Sequence, residues 1–275
     1  MELALSTFLW IVLVGIATGV MSALLGVGGG FFLVPLLVIL FKIPIHYAIG
    51  ASLITIIATS CAVSAYNIKH RLANVRLGIM LELTATFGAI AGSLLAGRLS
   101  HRTLTIVFAG LMVTIAMLMV RKLRSGESSI VPIKDPGPLG ASYYDEAIGF
   151  RVTYRVQRLP TMMVVFFLAG NLSGLLGIGG ALIKVPTLNL ICKIPTRAAV
   201  ATANFTVGLT AVAAALLYHD RGDIPPLLAA ATILGALSGS TLGTRLAAKV
   251  QSRWISAVFT ILTLGLAVQM VWHVL

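Results

Sequence analysis

The stretch Ser22-Ala-Leu-Leu-Gly-Val-Gly-Gly29 recurs later in the chain as Ser173-Gly-Leu-Leu-Gly-Ile-Gly-Gly180. Around it, residues 19–48 align without gaps onto residues 170–199 at an offset of 151, and 14 of the 30 positions are identical. Similarity of this extent within one chain indicates a structural repeat. We therefore predict that the protein consists of two homologous halves, each built around one of the two glycine-rich turns.

A second pair of similar segments extends the repeat. Residues 88–99 match residues 235–246, here at an offset of 147. We place the first half at 1–122 and the second at 159–275, with a polar connection at 123–158 between them. Both matched segments carry Gly-x-x-x-Gly spacings, which let helices approach closely. We expect this packing to occur within the monomer, with a homodimer interface as the alternative.

The composition excludes an ordinary soluble globular protein. The 275 residues are 58% hydrophobic and 10% charged, with a mean hydropathy of +1.01, whereas soluble domains average about 45–50% apolar and about 25% charged residues. Eight apolar stretches have the length of roughly 20 residues that crosses a bilayer. They are Ser6–Leu25, Ile45–Tyr66, Leu77–Gly97, Thr103–Val120, Thr161–Leu176, Thr196–Tyr218, Pro226–Thr244 and Trp254–Val274.

Two further apolar stretches, 31–41 and 181–192, follow the glycine-rich turns and are too short for a crossing. A helix of about 12 residues is about 18 Å long, against a hydrocarbon core of about 30 Å. Each half thus contains a broken-helix hairpin followed by three transmembrane helices. Because this gives an odd number of net passes, the halves must be inverted relative to each other. The predicted fold class is an all-α integral membrane protein with two inverted-topology repeats.

The net charge of +12 would suggest a nucleic-acid partner in a soluble chain. In a membrane protein, Lys and Arg instead report orientation, because they are enriched on the cytoplasmic side. Threading the chain through the bilayer puts 15 of the 20 basic residues on one face, together with the connection, and four on the face that carries both termini. We therefore expect the cell (inner) membrane, a cytoplasmic connection, both termini outside and no nucleic-acid partner.

The connection begins with turn-forming Pro and Gly residues. Residues 150–157 then alternate apolar and polar side chains, as a half-buried strand does. Two interpretations stay open at this point: a small β-hairpin, and an ordered surface linker with no role of its own.

The glycine-rich turns are the first candidate site, formed by Gly28, Gly29 and Gly30 in one half and by Gly179 and Gly180 in the other. Each turn begins a half-helix whose free N–H groups and positive dipole end attract anions. Close helix packing is the structural alternative for one such turn. Two equivalent turns in inverted halves favour a substrate site near the midplane. A phosphate-binding loop is excluded because neither turn is followed by Lys-Ser or Lys-Thr.

Two charged residues lie inside apolar segments. Lys184 follows the second turn, where the first half has Leu33, and an ammonium group there would complement the helix ends in binding an anion. The alternative is a lysine that snorkels to an interface or pairs structurally. Glu82 would carry a coupling proton or pair with Lys184, but its place near Arg76 favours a helix-end carboxylate that reaches the cytoplasmic interface.

Four polar residues complete the candidate substrate-binding site: Ser52, Thr55, Asn204 and Thr206. The repeat places Asn204 and Thr206 opposite Leu53 and Thr55, just after the broken-helix hairpin. Interhelical hydrogen bonding is the alternative role for such side chains. The five histidines are scattered and show no metal-ligand spacing, so we expect no metal site and no cofactor.

Residues 19–35 and 170–186 resemble the glycine-rich motif, followed by proline, that occurs in both halves of the sulfite exporter TauE/SafE family (TSUP anion permeases). The resemblance covers both membrane halves and leaves out the connection. It implies transport of sulfite, sulfoacetate, thiosulfate or related organic and sulfur oxyanions across the cell membrane. The chain departs from the family pattern at Ala181, where the motif has its last glycine, and at Ala203, where the family usually has serine.

We predict a secondary membrane transporter, or permease, for a small sulfur-containing or organic anion, working by alternating access around a midplane site between the two turns. No nucleotide-binding motif is present, so the energy would come from the substrate gradient or from a coupling proton or sodium ion. The alternative is an anion channel or facilitator. An intramembrane enzyme is the least expected class, because the apolar segments carry no nucleophile with a base and no carboxylate pair.

Overall fold

The computed structural model describes residues 5–25, 29–124, 135–145 and 149–247, and residues 265, 266, 268 and 269. The predicted crossing 254–274 lies outside the described residues apart from those last four. The elements are α1 Leu5–Leu25, α2 Gly30–Phe41, α3 Ile45–Lys69, α4 Val75–Ala96, α5 His101–Arg124, β1 Ala141–Asp145, β2 Phe150–Tyr154, α6 Leu159–Leu176, α7 Ala181–Leu190, α8 Thr196–Asp220 and α9 Pro226–Ala247.

Six helices of the described part are long and apolar enough to cross a membrane: α1, α3, α4, α6, α8 and α9. Helix α5 occupies the predicted crossing 103–120. Helices α2 and α7, with 12 and 10 residues, are too short to cross. Large apolar side chains such as Trp10, Phe87 and Leu216 are exposed on the outer faces of the bundle, as contact with lipid requires. The prediction of an all-α membrane protein is confirmed at this level.

Equivalent helices of the two halves begin or end 151 residues apart throughout. Ile45 and Thr196 begin α3 and α8, Val75 and Pro226 begin α4 and α9, and α1 and α6 end at the same spacing. The sequence match of 88–99 to 235–246 is therefore displaced by four residues from the structural equivalence. Four residues are about one helical turn, so the displaced match still joins the same helix faces.

The packing of the helices repeats in the same way. Helix α1 packs along α9, and the equivalent helix α6 packs along α4. Helix α3 contacts α9, and the equivalent helix α8 contacts α4. The two equivalent helices α3 and α8 pack against each other. Two close helix contacts confirm that equivalent positions of the halves are 151 residues apart, because both partners of one contact are equivalent to the partners of the other. A Cβ on Gly88 would lie 2.0 Å from the carbonyl oxygen of Phe167, and one on Gly239 would lie 2.1 Å from that of Ile16. These Gly-x-x-x-Gly contacts form within the chain.

The connection contains an antiparallel hairpin in which Tyr143 of β1 lies opposite Val152 of β2. Tyr143, Val152 and Tyr154 are buried in an apolar cluster with residues of α4, α6 and α8. Burial raises the pKa of the Tyr154 phenol, so this side chain stays neutral well above physiological pH. The Asn74 side chain accepts a hydrogen bond from the N–H of Leu77 at the start of α4 and donates one to a carbonyl oxygen of the connection. The hairpin thus has a fixed position at this end of the bundle.

Candidate functional site

The two broken helices meet at their glycine-rich turns. Helix α2 begins at Gly30 and α7 begins directly after Gly180. Gly179 and Gly180 have φ of +73° and +72°, a left-handed backbone that favours glycine. A Cβ on Gly30 would lie only 2.3 Å from the carbonyl oxygen of Gly177 in the other turn, so glycine is required for the contact. Of the predicted turn residues, Gly28 lies outside the described residues.

Ser52 joins the first half to the second turn. Its hydroxyl donates a 2.7 Å hydrogen bond to the carbonyl oxygen of Gly177 and is buried. The equivalent position in the second half is Ala203, which has no hydroxyl to donate. The interaction is therefore not duplicated, and the two turns differ chemically.

The turns lie deep in the bundle. At 1.5 Å per residue, helix α2 is about 18 Å long and α3 is about 37 Å long. Helix α3 begins at the end of the bundle where α2 ends. The start of α2 therefore lies about half-way along α3, where Gly30 contacts Ser52 and Ile56. Irregular backbone at that depth is tolerated only where protein or a polar cavity satisfies it.

An ion pair lies one helical turn into α7. The Lys184 ammonium is fully buried, and its Nζ is 3.1 Å from Oε2 of Glu82 on α4, which is 4% exposed. Nζ also donates hydrogen bonds of 3.3 Å to Thr206 and 2.6 Å to Thr210, both on α8. Thr210 in turn donates to the other carboxylate oxygen of Glu82. The Phe166 ring lies 5.1 Å from Nζ, close enough for a cation–π contact.

This arrangement corrects the sequence-based interpretation of Glu82. We expected a carboxylate at the cytoplasmic interface, but Glu82 is buried and pairs with Lys184, which was the alternative. The three N–H groups of the ammonium meet three acceptors, so Lys184 is not a free cation in this conformation. An anion reaches Lys184 only by replacing one of those acceptors.

The ion pair has no equivalent in the other half. The positions equivalent to Lys184 and Glu82 are Leu33 and Ile233. The two halves therefore share the helix framework but not the two charged residues. Thr210 was missed from sequence although it lies four residues after Thr206 and hence on the same helix face, a signal that was available.

The remaining predicted residues lie apart from the ion pair. The Thr55 hydroxyl donates to Thr232 of α9 at 2.8 Å, which is an interhelical hydrogen bond. Asn204 lines a cavity of about 10 Å³ together with Ser22, Thr59 and Ser60, a volume that holds about one water molecule. Within the described residues, no group of three His, Cys, Asp or Glu side chains is placed to hold a metal ion.

Comparison with known proteins agrees with this architecture. The family model described as "Sulfite exporter TauE/SafE" matches residues 11–270, and thus both halves. The chain belongs to the sulfite exporter TauE/SafE family. The TauE/SafE match runs through both glycine-rich turns and the ion pair.

Relatives align with this TauE/SafE chain over most of its length. "Probable membrane transporter protein YunE" of Bacillus subtilis is 26% identical over 97% of this chain and 98% of its own. A "Probable membrane transporter protein" of Xylella fastidiosa strain 9a5c is 26% identical over 95% and 92%. "Probable membrane transporter protein MJ0441" of Methanocaldococcus jannaschii is 24% identical over 76% and 71%. No solved structure matches the chain. The family, these relatives and the six apolar helices identify a multi-pass membrane transporter.

Proposed function

We propose that the protein is a secondary transporter for small sulfur-containing or organic anions such as sulfite, sulfoacetate or thiosulfate. The transported anion binds between the glycine-rich turns and Lys184, near the middle of the membrane. The observation that carries the proposal is the Lys184–Glu82 ion pair, which is buried among the apolar helices and has its lysine on a broken helix. Ionisable groups at such depth are costly and mark substrate or ion pathways.

The requirement for charge balance suggests the mechanism. Removing one partner of a buried ion pair costs about 3–5 kcal/mol, because the other charge is left uncompensated. Lys184 therefore keeps an anionic partner at every step, either the Glu82 carboxylate or the substrate. A proton on Glu82 cancels its charge and frees the ammonium for the substrate anion. Substrate and proton thus bind together, which makes the proton the coupling ion.

The hydroxyl groups of Thr206 and Thr210 support this exchange. Both contact the ammonium, and both also have backbone acceptors on their own helix, the carbonyl oxygens of Ala203 and Thr206. The two hydroxyl groups can turn away from Nζ and keep their backbone hydrogen bonds. Replacing them with an oxyanion therefore costs little free energy. The N–H groups at the start of α7 add a positive helix end on the same side.

Alternating access follows from two inverted halves. Helix α2 runs from the central turn towards one end of the bundle, and α7 runs towards the end that carries the β-hairpin, where Ile194 packs in the hairpin cluster. Opposite directions of the broken helices support an inverted repeat. The excess of basic residues at the hairpin end supports a cytoplasmic connection, with both termini outside.

Transport assays in proteoliposomes test the proposal. We expect saturable uptake and counterflow of radiolabelled thiosulfate by the wild type, and a loss of at least about tenfold in initial rate for Lys184→Met. Lys42→Met, which removes an exposed lysine at the end of α2, is the matched control and retains the rate. Glu82→Gln keeps exchange without a gradient but loses accumulation driven by a pH gradient. Unchanged rate and KM in Lys184→Met contradict the assigned site, and transport of cations or neutral solutes instead of anions contradicts the substrate class.

A further inference from the structure

A polar cavity lies at the end of the bundle opposite the β-hairpin. Its volume is about 380 Å³, large enough for a small oxyanion with its water. Residues from the start of α3, the end of α4, the start of α5 and the α8–α9 loop line it, and we call it the vestibule. They are Pro44, His46, Tyr47, Gly97, His101, Arg221 and Asp223.

Arg221 is held rigidly in the vestibule wall. Its Nε donates to Asp223 at 3.1 Å, its Nη1 donates to the Ser93 carbonyl oxygen at 2.6 Å, and its guanidinium lies 4.2 Å from the centre of the Tyr218 ring. The remaining nitrogen, Nη2, is buried and has no hydrogen-bond acceptor among the described residues. Nη2 is shielded from solvent, but the Arg221 side chain lines the vestibule and is 26% exposed, so an anion in the vestibule can contact it.

Two histidines face each other beside the arginine. The Nδ1 atoms of His46 and His101 are 2.9 Å apart, and Nε2 of His46 is 3.4 Å from the carbonyl oxygen of Ala96. The hydrogen-bond network assigns a proton to Nε2 of His46, so His101 donates to its Nδ1. One further proton, on Nε2 of His101, leaves the hydrogen bond between the rings in place and adds a positive charge to the vestibule.

We propose that the vestibule is a second anion site, which binds a small oxyanion through Arg221 and the protonated histidine pair. The inference rests on the proposed function in one respect: the bound anion is the transported one, held before it reaches Lys184. The two sites are separate. Gly97 at the vestibule follows Glu82 by 15 residues of α4, or about 22 Å.

The charges of the vestibule make this binding depend on pH. The charged and titratable groups that face His46 are His101, Arg221 and Asp223. Arg221 and Asp223 cancel, so the vestibule is nearly neutral while both histidines are neutral. A proton added to the histidine pair gives the vestibule a net positive charge. Affinity for an anion therefore increases as the pH falls.

Among the described residues, the equivalent positions at the other end of the bundle are apolar. The positions equivalent to Tyr47 and Asp223 are Ala198 and Leu72, and both belong to the apolar cluster that holds the β-hairpin. The buried side chains of the hairpin belong to the same apolar cluster. Within the described residues, one end of the repeat is thus an apolar cluster that includes the hairpin, and the other end holds the polar vestibule.

Nuclear magnetic resonance of the full chain in nanodiscs tests the proposal without requiring transport. The histidines are labelled with carbon-13 at Cε1, and thiosulfate is the probe because it keeps both negative charges between about pH 6 and about pH 8. We expect saturable shifts of the His46 and His101 resonances, assigned with His46→Asn and His101→Asn, and an affinity about tenfold higher at the lower pH. Arg221→Gln lowers the affinity by at least about tenfold.

Arg102→Gln is the matched control, since it removes an exposed arginine at the same end of the bundle. The proposal is overturned if the two resonances do not shift, if the affinity is independent of pH, or if Arg102→Gln weakens binding as much as Arg221→Gln. Should Arg221→Gln not fold, Arg221→Lys keeps the charge, loses the planar donor fork, and is expected to bind more weakly than the wild type.

Lys184→Met separates the two proposals. We expect it to lower the initial rate of transport by at least about tenfold and to leave the histidine shifts unchanged. If thiosulfate shifts the histidines but no anion is transported by the wild type, the proposed function is wrong and the vestibule site stands. If anions are transported and the histidine shifts are absent, the vestibule proposal is wrong and the proposed function stands.

Discussion

At the scale of single residues, Lys184 and Glu82 raise the question of why a membrane protein keeps two charges in its interior. The equivalent positions Leu33 and Ile233 show that the framework accepts apolar side chains there. Replacing a buried ion pair by apolar residues of similar size is often neutral or stabilising, whereas removing one partner is costly. The charges are therefore better explained by function than by stability.

Residues of one half can be copied into the other to test whether the charges serve function. The single variant Glu82→Ile should lose about 3–5 kcal/mol of stability, because the Lys184 charge is left buried without its partner. The double variant Glu82→Ile with Lys184→Leu, which has the residues of the other half, should unfold within about 1 kcal/mol of the wild type and still fail to transport. Thermal unfolding in detergent and uptake in proteoliposomes measure both properties. Equal destabilisation of the single and double variants would contradict the argument.

At the scale of elements, one face of the β-hairpin packs on the helices and the other face is exposed. Tyr143 and Tyr144 are neighbours in β1, yet they are 3% and 59% exposed, because successive side chains of a strand point to opposite faces. Tyr143 packs in the cluster with α4 and α8, while Tyr144 lies on the outer face. The pair therefore provides a matched test of docking.

We expect Tyr143→Ala to loosen the hairpin and Tyr144→Ala to leave it docked. Truncating a buried aromatic side chain costs about 3–5 kcal/mol, which exceeds what a two-stranded sheet supplies without its support. Hydrogen exchange across 141–154 and at the start of α4, where Asn74 binds the connection, should accelerate by at least about tenfold in Tyr143→Ala only. Similar exchange in the two variants would show that the buried face does not hold the hairpin.

At the scale of the whole molecule, we predict the orientation in the membrane from charge. The hairpin end receives most of the basic residues, and the vestibule end receives four. The native cysteines need removal before labelling, because Cys61 is exposed. Cys192 is buried, and burial raises the pKa of its thiol to about 11, so it reacts slowly.

Cysteines introduced at exposed sites test the orientation. In a variant without Cys61 and Cys192, we expect Arg102→Cys to react with a membrane-impermeant maleimide in intact cells, because it lies at the end that we predict to be outside. Tyr144→Cys should react only after the cells are opened, because the basic residues predict that the hairpin is cytoplasmic. The reverse pattern of labelling would invert the orientation and place the vestibule inside the cell.

Much of this fold could be predicted from sequence because the signals are local and occur twice. Apolar length predicted the crossing helices, and the glycine-rich turns followed by short apolar segments predicted the broken helices that begin after Gly29 and Gly180. The displaced match at 88–99 was the weak point. A shift by one helical turn preserves the face of a helix, so similarity alone could not separate the two registers.

The sequence by itself thus determined the membrane class, the two halves and the position of the central turns. Only the tertiary structure decided that Glu82 pairs with Lys184, 102 residues away in the other half, that the hairpin closes one end, and that Arg221 meets two histidines at the other. The reason is physical. A membrane helix that is apolar all round carries no stripe that tells which face meets which neighbour, so the partner of a buried charge is fixed by helix packing.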